Sequence, residues 1–291
     1  MGFLHLRPIA RDNLVILSVV IAFLLGSTTK AQSVRYFLVS RQIVEARLEK
    51  YGGKNAERES TLKDLFAEAG CNGDHLTEQK VSGSRLPNVI CTLPGSTDRT
   101  IIVGAHFDHV SEGDGVVDNW SGASLLPSIY QAVSSQPRTH TYIFIGFTDE
   151  EQGEVGSRFY VEHMKKQEVA STDAMVNMDT LGLAPTEIWT RHTDRILNGA
   201  LATIARQLNL PVTGMNVDQI GSTDSVQFEE RKIPSITIHS LTQKTWDEHI
   251  LHTKKDTISE INRDDYYQTY QLVAAYVAYL DSLPPRSDKK K

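Results

Sequence analysis

The chain has 291 residues, 40% of them hydrophobic and 23% charged, with a formal net charge of -6. That is the composition of a globular protein long enough to bury one sizeable core. The one basic cluster is the terminal Lys289-Lys290-Lys291, so the charge pattern gives no footing for nucleic-acid binding.

The first predicted element is a leader. Residues 1–13 carry Arg7 and Arg11, an apolar run broken only by Ser18 covers 14–26, and STTKAQ follows with Ala31 as a cleavage point. Basic region, short apolar region and small-residue site read together as a secretory signal peptide, 1–31. The alternative is an uncleaved anchor helix. A spanning helix needs about 20 apolar residues, more than this run supplies. No Cys stands near the cleavage point and no Arg-Arg pair precedes it, which argues against a lipid anchor and the twin-arginine route. Removal of the leader leaves one domain, 32–284, with a disordered tail, 285–291. The expected location is secreted or periplasmic, with no stable membrane association after cleavage. Nothing in the sequence sets an oligomeric state.

Helical patterning predicts helices over 34–50 and 58–69, the second with Glu59 or Ser60 as a weak cap, and then a polar loop over 71–86. Strands are predicted at 88–93 (NVICTL) and 100–106 (TIIVGAH), separated by the turn-rich PGSTDR. A helix over 121–133 with Ser121 as a candidate N-cap, a buried strand over 141–147 and a helix over 155–166 come next. Strands at 174–179 and 187–190, a helix over 195–208, a strand at 234–239 and a final helix over 264–283 complete the pattern. The alternation predicts a three-layer α/β/α fold with a mostly parallel, mixed central sheet. The two cysteines, Cys71 and Cys91, are an even count in an exported chain and point to a disulfide closing a twenty-residue loop. Two free, buried thiols are the alternative.

Five metal-type ligands are spread along this frame: His106, Asp118, Glu151, Asp179 and His252. Two imidazoles and three carboxylates are the set a pair of zinc ions needs when one carboxylate bridges. Each has an ordinary explanation when taken alone. H-x-D at His106 and Asp108 is common, Asp118 could be a turn and cap residue, and Glu150-Glu151 could be an acidic loop before a helix. Asp179 is harder to dismiss, because a carboxylate leaving an apolar strand needs a partner and no Lys or Arg lies nearby before Arg191. His109, His239 and His249 compete for the imidazole roles. Ligands of open α/β sheets gather beyond the carboxyl ends of strands, and His106, Glu150-Glu151 and Asp179 all fall there. Asp108 could orient His106 by accepting its second ring N–H, and Asp256 could support His252.

In order, GAHFD, DNWSG, DEEQGEVGS, NMDTLG and HTKKDT resemble the motifs of the zinc aminopeptidase family that includes bacterial leucyl aminopeptidase and aminopeptidase Y. The resemblance runs from about Asn88 to the final helix. It implies two zinc ions per chain, one set comprising His106 with Asp179, the other Glu151 with His252, and Asp118 bridging both. It further implies Glu150 as general base on a zinc-bridging water, Asp108 as the carboxylate behind the first His, and a cis peptide after Asp118. The implied substrate is a peptide with a free N-terminus. Trp120 stands where the family has a small residue, so a reshaped pocket is expected, and Val117 stands where relatives are often acidic. STDSVQF at 222–228 is similar to the family's S-D-H-x-x-F segment with Ser225 replacing the His. Two rival functions remain: a glutaminyl cyclase with one zinc, and a non-catalytic relative. The paired glutamates and the intact ligand set argue against both. A carboxypeptidase of the related group would carry an inserted domain, for which 151–252 leaves little room.

Overall fold

Along Thr100–His106, Ile101, Val103 and Ala105 join one apolar cluster while Ile102 joins another. Successive strand side chains point to opposite faces, so this sheet has a core on each side. The split recurs in Thr172–Met178, where Ala174, Val176 and Met178 oppose Met175, and in Thr141–Phe147, where Tyr142 and Phe144 oppose Ile145 and Phe147. Apolar side chains on both faces must each be covered by helices, which is the physical origin of the three layers.

The computed structural model describes residues 10–11, 14–21, 32–219 and 221–284. Most of the expected leader and all of the tail 285–291 lie outside the described residues. In chain order, β1 (Ala10–Arg11), β2 (Leu14–Ile21) and β3 (Gln32–Leu38) form a small antiparallel sheet. Then come α1 (Arg41–Leu48), α2 (Asn55–Glu68), β4 (Leu76–Gln79), β5 (Asn88–Leu93) and β6 (Thr100–His106). Beyond the turn at 116–120 lie α3 (Ser121–Ala123), α4 (Leu126–Ser134) and β7 (Thr141–Phe147). Next are α5 (Val155–His163), α6 (Lys166–Ser171), β8 (Thr172–Met178), β9 (Glu187–Trp189), α7 (Arg195–Leu208) and β10 (Thr213–Met215). Finally there are α8 (Ser225–Glu230), β11 (Ser235–His239), α9 (Gln243–Asp247) and α10 (Arg263–Leu280).

The main sheet has eight strands in the order β10-β9-β11-β8-β6-β7-β5-β4. Pairings β10/β9, β11/β8, β8/β6 and β6/β7 are parallel, and β9/β11, β7/β5 and β5/β4 are antiparallel. The expected mixed, mostly parallel sheet is therefore present, with its parallel strands at the centre. Residues of α1, α2, α4, α7 and α10 fill the larger cluster, and Val161 of α5 with Phe228 of α8 fill the other. Cys71 and Cys91 form a disulfide, as expected, joining the end of α2 to β5.

Several expected elements are corrected. The helix expected over 34–50 is strand β3 followed by α1. Val34 and Tyr36 are buried while Arg35 is exposed, a period of two that β-branched and aromatic residues favour. The loop expected over 71–86 contains β4, whose Leu76 lies opposite Cys91. Its side chains are only half-buried or exposed, so no apolar alternation marks it. The helix expected over 58–69 starts at Asn55, with Lys54 rather than Glu59 or Ser60 at the cap position. The helix at 121–133 divides into α3 and α4, and the one at 155–166 stops at His163. The short elements α6, β10, α8 and α9 were not anticipated.

Candidate active site

Strands β7, β6, β8 and β11 are successive parallel neighbours, so their carboxyl ends open on one edge of the sheet. His106 is the last residue of β6, Glu150 and Glu151 follow β7, and Asp179 follows β8. Asp118 comes from the turn at 116–120 and His252 from the segment between α9 and α10. All five expected ligands and Glu150 meet there. His106 Nε2 lies 3.3 Å from Asp118 Oδ1 and 3.6 Å from Asp179 Oδ1. His252 Nε2 lies 3.2 Å from Asp118 Oδ2 and 3.0 Å from Glu151 Oε2. The distances thus divide the cluster into two groups, with one oxygen of Asp118 facing each. Glu150 stands beside the first, its Oε2 3.8 Å from His106 Nε2.

The groups that hold these side chains differ in part from expectation. Asp108 was expected to orient His106 through its carboxylate, but that contact is 3.6 Å, too long for a hydrogen bond. The Asp108 backbone oxygen is nearer to Nδ1, at 3.2 Å. The Asp108 carboxylate instead accepts the backbone N–H groups of Glu150 at 3.1 Å and Glu151 at 3.2 Å. Asp256, expected behind His252, accepts the N–H groups of Val117 at 2.7 Å and Asp118 at 3.1 Å. Asn119 Oδ1 accepts from Gly122 N and Thr180 N while its amide donates to Met178 O, tying the Asp118 turn to the Asp179 loop. Ser121 is not an N-cap; its hydroxyl donates to Val117 O and accepts from Leu181 N. Gly122 is required by this close approach, since a Cβ there would sit 2.6 Å from Met178 O. The Asp118–Asn119 peptide is cis, as the resemblance implied. Thr223 Oγ1 donates to Asp179 Oδ2 at 2.6 Å and Thr180 Oγ1 to Asp179 Oδ1 at 3.1 Å, fixing that carboxylate. Asp149, Glu154, Thr180, His249 and His252 all hold positive φ, a concentration of costly backbone at one place.

The cluster is rich in acid. Burial opposes the charged form of His106, but Glu150, Asp108, Asp118 and Asp179 outweigh it and raise its pKa well above the ordinary value. Hydrogen bonds to Asp118 and Glu151 raise His252 to about 10. Burial pushes Glu150 up to about 10, opposed by His106 and reinforced by Asp224, Asp179 and Asp118. The protein groups alone leave this site short of positive charge. A divalent cation would supply that charge, and the donor set of imidazole and carboxylate suits zinc. Two further atoms point the same way: His106 Nε2 and Glu151 Oε1 are buried without a hydrogen-bond partner.

A cavity of about 400 Å³ opens beside the cluster. Its lining includes Asp118, Glu150, Glu151, Asp179 and His252 together with the apolar Trp189, Leu241, Trp246 and Ile250. Trp120 does not reshape it. That side chain is fully buried in the larger core and donates to Arg47 O at 3.3 Å. Ser225 bonds Thr237 Oγ1 at 2.7 Å below the cavity wall. His239 accepts from Leu241 N through Nδ1, and His249 is exposed at the rim; neither reaches the acids as His106 and His252 do. Two residues were missed. Asp224 is fully buried near His106 and Asp179, and burial pushes it up to about 7, opposed by His106 and Ser157. Arg58 reaches the backbone of two site loops from α2. STDSVQF drew attention to Asp224's segment, whereas nothing local marks Arg58 among the charged residues of its helix.

Fold and cluster together define a three-layer α/β protein with a metal-type ligand set at its strand ends. Residues 88–277 match Peptidase family M28, and the chain belongs to that family. It is 28% identical over 224 residues to aminopeptidase YwaD of Bacillus subtilis, covering 74% of this chain and 48% of that protein. The chain thus spans about half the length of that relative. Its structure resembles BSAP, a zinc aminopeptidase from Bacillus subtilis, with a TM-score of 0.62 and 26% identity, covering 67% of this chain and 50% of the other. It resembles the Legionella pneumophila LapA aminopeptidase with a TM-score of 0.72 and 21% identity, covering 83% and 71%. An Acidobacteriales bacterium glutaminyl cyclase shares the fold at a TM-score of 0.69 and 15% identity, covering 90% of this chain and 99% of that one.

Proposed function

We propose that the chain is a zinc-dependent aminopeptidase that removes N-terminal residues from peptides. The observation that supports it most is the division of the ligands around Asp118, one carboxylate oxygen toward His106 and Asp179, the other toward His252 and Glu151. One zinc ion would be held by the first group and one by the second, with Asp118 common to both. Such a pair polarises a scissile carbonyl and acidifies water. Glu150 is the acid left over once these ligands are assigned. It faces the first group from within the cavity and is placed to take a proton and return it to the departing amine. Asp108 holds Glu150 and Glu151 in step through their two amides. The apolar lining residues Trp189, Leu241, Trp246 and Ile250 favour an apolar N-terminal side chain.

Export belongs to the same proposal: cleavage near Ala31 would release a single metallopeptidase domain, 32–284, to a secreted or periplasmic location. The Cys71–Cys91 disulfide supports an oxidising compartment. N-terminal sequencing of the protein recovered outside the cytoplasm tests it; an intact Met1 in that fraction rejects cleavage.

The activity is tested by zinc analysis and a panel of aminoacyl-amides and N-terminal glutaminyl peptides on one sample. About two zinc ions per chain with release of free amino acids is the expected result. One zinc per chain with cyclisation of N-terminal Gln would replace this reading with the glutaminyl cyclase one. Neither zinc nor turnover would leave a non-catalytic relative.

A further inference from the structure

Arg58 has no part in the chemistry above, yet it is fully buried beside it. It lies on α2, ahead of the segment 88–277 that matches the family. Its guanidinium is held by backbone carbonyls: Nε donates to Gly52 O at 3.0 Å, Nη1 to Phe107 O at 3.3 Å and Gly115 O at 3.0 Å, and Nη2 to Asp114 O. Phe107 stands between His106 and Asp108. Asp114 and Gly115 open the turn that presents Asp118. The guanidinium also rests over the ring of Trp120, 5.8 Å from its centroid.

The rest of α2 grips the same region. Asn55 Oδ1 accepts His109 N at 3.1 Å. Leu62 packs so tightly on β7 that a Cβ at Gly146 would meet it at 2.3 Å. The two loops that Arg58 joins also touch each other, and a Cβ at Gly115, whose φ is positive, would meet His109 at 2.3 Å. Burial pushes the guanidinium down to about 10, which leaves it charged at neutral pH, in the field of Asp256, Asp108, Asp118 and Asp114. A buried charge is costly unless its donors are satisfied and opposite charge is near, and both conditions are met here.

We propose that Arg58 is a positioning residue for the metal centre, its planar fork tying the loop behind His106 to the loop before Asp118, so that helix α2 is part of the working site. The proposal rests on the zinc reading given above. Lysine would keep the charge but present its donors at one point, and could not span both loops as the fork does.

The test uses the full chain with Arg58→Met and Arg58→Lys. Zinc affinity of the metal-free protein is read by competition with a chelating dye, metal-free melting by circular dichroism, and kcat and KM on an aminoacyl-amide. Zinc affinity is expected to fall about tenfold in Arg58→Met, the low end of the effect of groups that orient metal ligands. The kcat should fall with it while KM stays near the original value, because Arg58 does not line the cavity. Arg58→Lys should recover part of the loss, and it decides the matter alone if Arg58→Met does not fold. Lowered melting with unchanged zinc affinity and kcat, or a change confined to KM, overturns the role of Arg58. Failure of the unsubstituted chain to bind zinc would instead remove the reading on which the proposal rests.

Discussion

Glu150 and Glu151 are neighbours with different surroundings. Glu151 meets His252 at 3.0 Å, whereas Glu150 is the acid beside His106 and is surrounded by Asp224, Asp179 and Asp118. Replacing Glu150 by Gln preserves size and removes the carboxylate that can accept a proton. We expect zinc content to stay near the original value and kcat to fall about 10²–10⁴-fold, as for loss of a general base. Turnover near normal in a zinc-loaded Glu150→Gln would show that another group moves the proton. The roles of Asp108 and Asp256 were harder to read. Each stands close in sequence to a His of the cluster, which suggested an imidazole partner. Each in fact accepts two backbone amides of a different loop. Chain proximity tells which groups could meet, but the choice between a ring N–H and a distant amide is made by loop packing.

At the level of elements, two distal ties hold the frame. The Cys71–Cys91 bond joins the end of α2 to β5 across a separation of 20 residues. Changing both to Ser should lower unfolding free energy by about 3 kcal/mol in the chain-entropy account, measured by urea denaturation; a loss near zero would mean the reduced chain already keeps these segments together. The second tie is His140 at the start of β7, buried with Nδ1 3.0 Å from Asp281 Oδ1 and Nε2 3.0 Å from Asp173 Oδ2. It joins β7 to the start of β8 and the end of α10. Burial alone would lower its pKa, but Asp173 and Asp281 outweigh it and raise His140 from 6.5 to about 9. A raised folded value means that the contribution is complete below about pH 6.5 and is lost as pH rises through about 9. Melting temperature should therefore drop over that window relative to His140→Asn, and parallel pH profiles for the two proteins would refute the clamp. Strands with two apolar faces, β5, β6 and β7, were legible to the residue because both periods and boundaries are marked by turns. The edge strand β4 was not, since half of its surroundings are solvent and it shows no apolar pattern.

For the whole molecule, the cluster joins elements from β6 to the segment before α10, so metal occupancy and stability should be linked. Chelation is expected to abolish turnover and lower the melting temperature, and added zinc to restore both. An ion at a thousandfold excess over its dissociation constant stabilises the folded state by about 4 kcal/mol. An unchanged melting temperature after verified zinc removal would disconnect the centre from the fold. The sequence by itself determined the order of strands and helices through the centre, the apolar character of the sheet's two faces and the cysteine pair, while the six residues that gather at the strand ends were singled out with the help of their motifs' resemblance to the zinc aminopeptidase family. These are local or compositional signals: a period of two, a run of apolar residues, an acid leaving a core strand. Only the tertiary structure decided which oxygen of Asp118 faces which imidazole, which amides Asp108 and Asp256 hold, where Trp120 turns, and that Arg58 reaches the site. Those outcomes depend on contacts between residues far apart in the chain, such as Arg58 with Gly115 and Val117 with Asp256. Their geometry is set by how the layers pack, and no local pattern in the sequence encodes it.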